Sequence, residues 1–182
     1  MTDSPARIFA YGSLLWRPGF EFKNSRPALL KGWKRRFWQG SPDHRGTASN
    51  PGRVVTLVQQ ANASCAGIVY ELPENKVDQI LRALDVREQG GYVREQLQVQ
   101  GRNQEAVAAT TWIAHPSNKN YLGPSTHSDI ASHIASSVGP SGTNLDYFER
   151  LVTALAMLNA SEAHTRRISR WLSGRTSVFR QM

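Results

Sequence analysis

At 182 residues with 40% hydrophobic side chains, the chain can bury one core but not two, so residues 1–182 read as a single domain. The net charge of +8 and pI near 10.1 admit anionic partners, while the lack of any run of about 20 apolar residues excludes a helical membrane span. One cysteine, Cys65, excludes an internal disulfide, and residues 1–7 lack the apolar stretch of a signal peptide, so a cytoplasmic location is expected.

Residues 7–11 read as the first strand, since Ile8-Phe9-Ala10-Tyr11 is aromatic and β-branched and then breaks at Gly12-Ser13. A strand stopping at Gly-Ser exposes backbone N–H groups. Those of Ser13 and Leu14 could converge on a carboxylate or a developing oxyanion, although Gly-Ser after a strand is also an ordinary turn. Lys31, Lys34, Arg35 and Arg36 follow, interleaved with Trp33, Phe37 and Trp38. Further strand-like stretches lie at 53–59 and 65–72. Across Glu74–Arg87, Val77, Ile80, Leu81 and Leu84 recur at i, i+3, i+4 and i+7, which predicts a helix stopped by Gly90-Gly91. Glu88 then lies at its last turn, where the helix dipole and partial burial would both raise its pKa and make it a usable base, although a glutamate at a helix end is more often a solvated surface residue. Arg87 is expected to point elsewhere, as neighbours on a helix do.

Strands at 92–99 and 106–114 come next. Thr126 or Ser128 can cap a helix with Ile130, Ile134 and Val138 on one face, and Asn144 can open another carrying Phe148, Leu151, Val152, Leu155 and Leu158. Strands first and helices later give an α+β fold: a mixed or antiparallel sheet, closed or strongly curved, with surrounding helices. The core covers about 7–160, and a basic helical tail about 161–182 carries Arg166, Arg167, Arg170, Arg175 and Arg180.

The remaining chemistry-bearing residues offer less. Ser13 lacks the Gly-x-Ser-x-Gly elbow of an activated nucleophile, the histidines show no metal-ligand spacing, and Cys65 sits in an apolar run as a packing residue. No metal is expected. His44 can bind substrate or build a turn. Arg36, Arg45 and Arg53 can pair with a substrate carboxylate or brace loops. The basic residues are spread over the chain without a nucleic-acid motif, so nucleic acid is disfavoured as a partner and steering of an anionic substrate is a third use for the charge.

Three segments then matter together: Tyr11-Gly12-Ser13-Leu14-Leu15-Trp16-Arg17-Pro18-Gly19-Phe20, Arg35-Arg36-Phe37-Trp38-Gln39-Gly40-Ser41-Pro42-Asp43-His44-Arg45-Gly46, and Arg87-Glu88-Gln89-Gly90-Gly91-Tyr92. With Pro51–Leu57, Asn120–Pro124 and Ser137–Gly142 they fall in the order of one family, and the chain resembles a ChaC-type γ-glutamylcyclotransferase over residues 8 to about 160. The resemblance implies a small β-barrel and cleavage of glutathione to 5-oxoproline and Cys-Gly without metal or organic cofactor. It carries the catalytic glutamate to Glu88 and the substrate-binding turn to Tyr11, Gly12, Ser13, Leu14 and Leu15. Tyr92 and Tyr121, within or beside the matched motifs, are further candidates to orient the γ-glutamyl group. Gln89 and Pro42 depart from the family's usual lysine and threonine, and the last twenty or so residues follow no recognised pattern. Two other readings stay open: a cyclotransferase for other γ-glutamyl amines or dipeptides, and a catalytically inert basic binding protein. The sequence carries no signal for oligomeric state.

Overall fold

The computed structural model describes residues 5–101 and 103–179. Five strands close into a barrel: β1 (Arg7–Ala10), β2 (Asn24–Ser41), β3 (Gly52–Glu71), β4 (Tyr92–Gly101) and β5 (Ala106–Ala114), in the spatial order β1-β3-β2-β4-β5. Neighbouring strands are antiparallel except at the closure, where β1 meets β5 in parallel at Ile8 and Thr110. Closure removes the free sheet edges that would otherwise recruit other chains. A single turn of 3₁₀ helix at Glu74–Lys76 leads into α1 (Val77–Arg87), which connects β3 to β4. After β5 come α2 (His127–Ser136), a hairpin of β6 (Val138–Gly139) and β7 (Gly142–Thr143), α3 (Asn144–Met157) and α4 (Ala163–Phe179). The mixed sheet with surrounding helices is the α+β arrangement that the order of elements implies, and its closure into a small barrel is what the resemblance implies. No helix among the described residues is long and apolar enough to cross a membrane.

β2 is the element that sequence reading missed, and the reason lies in its pattern. Before Gly32, Ala28 and Leu30 are buried while Leu29 and Lys31 are exposed; beyond it, Arg35, Phe37 and Gln39 are buried. The buried positions change from even to odd at Gly32, whose φ of 79° opens a break in the register between Lys31 and Trp33. A strand that changes parity carries no continuous two-residue period. The same irregularity joins the two strands expected at 53–59 and 65–72 into one, because Gln59 pairs with Trp33 and Ser64 with Lys31 while the polar residues between bulge outward. Val138 is exposed on β6 instead of extending α2, since that helix ends at Ser136. Thr126 does cap α2, accepting from the Asp129 N–H, whereas Thr143, not Asn144, caps α3. Asn144 is instead fully buried, its side chain bonded to the backbone N–H and C=O of Arg53. Arg180 of the basic tail lies outside the described residues.

The parity change turns Arg35 inward. Its guanidinium, with no exposed surface, donates to the Tyr11 carbonyl at 2.7 Å, the Ala66 carbonyl at 2.5 Å and Glu162 Oε1 at 2.6 Å. One buried cation therefore joins the end of β1, the middle of β3 and the segment entering α4. Nearby, the Phe37 N–H donates to His164 Nε2 at 3.2 Å, and the two rings stack with centroids 6.1 Å apart. Burial, reinforced by Arg36, pushes the His164 pKa down to about 3. A histidine held neutral in the fold but free to charge when unfolded gives the unfolded state more protons below about pH 6.5. Stability is thus expected to fall as pH drops from about 6.5 towards 3. His164→Gln, which keeps an acceptor but cannot titrate, should flatten that part of a Tm-versus-pH curve; an unchanged curve would remove His164 as the cause.

Candidate active site

The strand residues Ile8, Phe9 and Ala10 are buried, so β1 delivers the chain into the barrel mouth and the next residues must turn. Gly12 precedes a 3₁₀ turn at Ser13–Leu15, closed by the Leu15 N–H on the Gly12 carbonyl at 3.0 Å. The first N–H groups of such a turn have no partner within it, which leaves those of Ser13 and Leu14 as donors. Three contacts pin the turn from the core side. Arg35 holds the Tyr11 carbonyl, Tyr11 Oη donates to the Trp112 carbonyl at 2.7 Å, and Tyr70 Oη donates to the Leu14 carbonyl at 3.1 Å. Gly12 is also spatially constrained: a Cβ there would stand 3.2 Å from Val55 Cγ2 and 3.4 Å from Tyr147 Oη.

Across the mouth, Ile80 and Leu84 seat α1 on the core, and Glu88 follows as its C-cap with φ −94° and ψ 11°. Gly91, at φ 117°, lets the chain reverse into β4. Because Glu88 has left helical geometry, its side chain does meet that of Arg87: Arg87 Nε lies 3.4 Å from Glu88 Oε1. This corrects the expectation that the two point apart. Arg87 also donates to Ser13 Oγ and to the carbonyls of Arg17 and Pro18, each at 3.0 Å, and so clamps the glycine turn to the glutamate. Burial raises the Glu88 pKa, Arg87 lowers it, and Asp43 raises it; the net direction is upward. A carboxyl poised this way exchanges protons nearer neutrality than an exposed one.

A cavity of about 460 Å³ lies between these groups, lined among others by Ser13, Asp43, Arg45, Glu88, Tyr92 and Tyr147. A smaller hollow of about 40 Å³ shares Ser13, Glu88, Tyr92 and Tyr147 with it and reaches Tyr11, Gly12 and Leu14. Of the expected residues, Glu88, Ser13 and Tyr92 line the main cavity, while Tyr11, Gly12 and Leu14 line only the hollow. Leu15 faces the core and lines neither. Tyr121 is also outside both. Its backbone bridges to Gln39, and its segment braces the Gly90–Gly91 turn through Asn120 Nδ2 on the Gly90 carbonyl at 2.8 Å.

Besides Arg87, sequence reading missed Tyr147 and Asp43. Tyr147, hidden in the apolar stripe of α3, accepts the Val55 N–H at 3.4 Å, and burial raises its pKa, so its own proton stays available to donate into the cavity. Tyr92, by contrast, spends its proton on the Val55 carbonyl at 2.7 Å. Asp43 is the second, and only its place beside Glu88 reveals it. Arg53 is a brace, donating to the Phe37 and Gly123 carbonyls, and Arg36 stacks on Trp38 outside the cavity.

A buried carboxyl with a raised pKa, sharing a concave site with free backbone donors, is the equipment of an enzyme that moves an acyl group by general acid–base chemistry. The ChaC-like protein family matches residues 6–171, and the chain belongs to that family. Glutathione-specific γ-glutamylcyclotransferase 1 of Danio rerio is 43% identical over 148 residues, covering 79% of this chain and 76% of that protein. γ-Glutamylcyclotransferase 2-3 of Arabidopsis thaliana is 43% identical over 166 residues, with 86% and 83% covered. The crystal structure of a yeast γ-glutamyl cyclotransferase specific to glutathione matches with a TM-score of 0.85 at 26% identity, over 94% of this chain and 99% of that one.

Proposed function

We propose that the chain degrades glutathione by γ-glutamylcyclotransferase chemistry, releasing 5-oxoproline and Cys-Gly, and that Glu88 is the group that moves the protons. The observation that carries this reading is the raised Glu88 carboxyl in one cavity with the Ser13 turn, in a chain whose relatives bear that activity in their names. A γ-glutamyl amide brings its own nucleophile, an α-amine that reaches the γ-carbonyl to close a five-membered ring, so no enzyme nucleophile is needed. Glu88 takes a proton from the α-ammonium, and the freed amine attacks the γ-carbonyl carbon. The oxyanion that forms faces the N–H groups of Ser13 and Leu14. Collapse breaks the bond to the cysteine nitrogen, which takes back the proton held by Glu88; the second amine proton follows the same route. Positioning supplies much of the rate, since well-oriented intramolecular reactions reach effective molarities of about 10⁵ M or more. An inert binding protein would need neither the close packing at Gly12 nor a desolvated acid in the same cavity.

Glutathione and γ-glutamyl-alanine, incubated separately with the enzyme and followed by mass spectrometry, test the reading. 5-Oxoproline from glutathone's γ-glutamyl group, with Cys-Gly, supports it; product from γ-glutamyl-alanine alone would move the activity to other γ-glutamyl compounds. The pH profile adds a signed test. The acidic limb of kcat/KM should lie above the ordinary carboxylate range, shift down in Asp43→Asn and shift up in Arg87→Met, because those side chains respectively raise and lower the Glu88 pKa. A limb that moves in neither variant would show that another group controls it.

A further inference from the structure

The cavity contains a second polar wall that the proton chemistry does not use. Arg45, from the loop joining β2 to β3, is largely buried, its side chain 12% exposed, and is held at one nitrogen: Nη1 donates to the Thr143 carbonyl at 3.0 Å and to Asp146 Oδ2 at 2.8 Å. Those two bonds use both Nη1 protons. The Nε and Nη2 protons, which form the side of a guanidinium that grips a carboxylate with two parallel bonds, have no acceptor among the described residues. Asp146 does not cancel the charge, because it is shared with Arg150 Nε at 2.8 Å, so two cations stand on one carboxylate. The wall is also rigid. Gly139 of the β6–β7 hairpin packs so closely on the 44–46 loop that a Cβ would lie 2.3 Å from the His44 carbonyl, and the Ser141 N–H donates to that same carbonyl at 2.9 Å.

Arg45 also lines the same cavity as Ser13 and Glu88. Its guanidinium lies over the Tyr147 ring, 5.8 Å from the centroid, while the hydroxyl of the same tyrosine reaches Val55 and Gly12 on the catalytic side. The charges that bias Glu88 are Arg87 and Asp43, not Arg45. A γ-glutamyl tripeptide whose scissile carbonyl sits at the Ser13 turn extends two residues beyond it, about 7 Å, and ends in a carboxylate.

Resting on the proposed glutathione reaction, we infer that Arg45 is a specificity-determining residue whose free Nε/Nη2 edge binds the terminal carboxylate of the leaving dipeptide. The enzyme therefore selects γ-glutamyl peptides that end in a free carboxylate at that reach.

The test compares glutathione with its glycyl monoethyl ester, in which that carboxylate is capped and uncharged, on the wild-type chain, Arg45→Met, Arg45→Lys and a variant of the exposed cavity-lining Arg17, Arg17→Gln. Wild type should prefer the acid about ten- to a hundredfold in kcat/KM, mostly through KM, as expected for a bond to a charged group. Arg45→Met should abolish that preference by losing activity on the acid alone, and Arg45→Lys, which cannot make two parallel bonds, should fall between. If Arg45→Met lowers both substrates equally, or wild type does not discriminate, Arg45 is only a brace for α3 and the inference is overturned. A loss of preference that follows Arg17→Gln instead would move the carboxylate to the cavity rim and overturn it as well. No 5-oxoproline from either substrate with wild type would sink the parent reading, and this inference with it.

Discussion

Glu88→Gln should lower kcat for 5-oxoproline formation from glutathione by about 10²- to 10⁴-fold, the usual worth of general acid–base catalysis, with the substrate Kd within a few-fold of wild type. The amide fills the same space and keeps hydrogen-bonding atoms beside Arg87, so the turn clamped by that arginine stays in place. What disappears is the capacity to hold a proton. Single-turnover product analysis with equilibrium binding checks both halves, and a variant with near-normal kcat would remove Glu88 from the mechanism. The same substitution carries a stability sign. Because the Glu88 pKa is raised in the fold, the native state binds protons more tightly than the unfolded state, and stability is lost as pH rises from the unfolded value through the folded one. Glutamine cannot ionise. Glu88→Gln should therefore melt no lower than wild type at neutral pH, with the difference vanishing in acid.

Arg35→Met should cost about 3–5 kcal/mol in folding stability, the range for breaking a buried ion pair by removing one partner. Methionine fills much of the volume but leaves the Glu162 carboxylate and the Tyr11 and Ala66 carbonyls without their donor. Denaturant unfolding measures the loss. Replacing Glu162 by Gln in the same background should recover part of it, since the stranded charge is then gone; failure of the double variant to recover anything would mean the damage lies in packing and not in charge. Since Arg35 also holds the Tyr11 carbonyl, the residual folded protein should show a weakened active-site turn as a fall in kcat.

How the chain could be read before its structure was known depended on which signals are local. The helix before Glu88 was legible because four apolar residues on one face and two following glycines act within a few turns, and Gly12-Ser13 was legible because a Gly-Ser pair after an aromatic and β-branched run is a local turn signal. β2 was not, since its inward face changes parity at Gly32 and one of its inward residues is an arginine, whose burial makes sense only when Glu162, 127 positions away, arrives to pair with it. Tyr147 drew no notice beside the apolar stripe of α3, and Asp43 belonged with a turn; both became site residues only because the fold brings α3 and the β2–β3 loop to the cavity that Glu88 lines.

By itself, then, the sequence determined the elements with short-range causes and the α+β class implied by their order, because residue type and spacing along the chain decide those, while the barrel and the candidate roles of Glu88 and the Gly12 turn came from the ordered motifs that carry the resemblance. Tertiary structure alone decided that Arg87 bridges Glu88 to the turn, that Arg35 is a buried anchor, and that Arg45 is held at Nη1 beside the same cavity. Those roles depend on carbonyls and carboxylates brought together from distant parts of the chain, and a side chain's charge says nothing of its partner until closure of the barrel sets the distance between them.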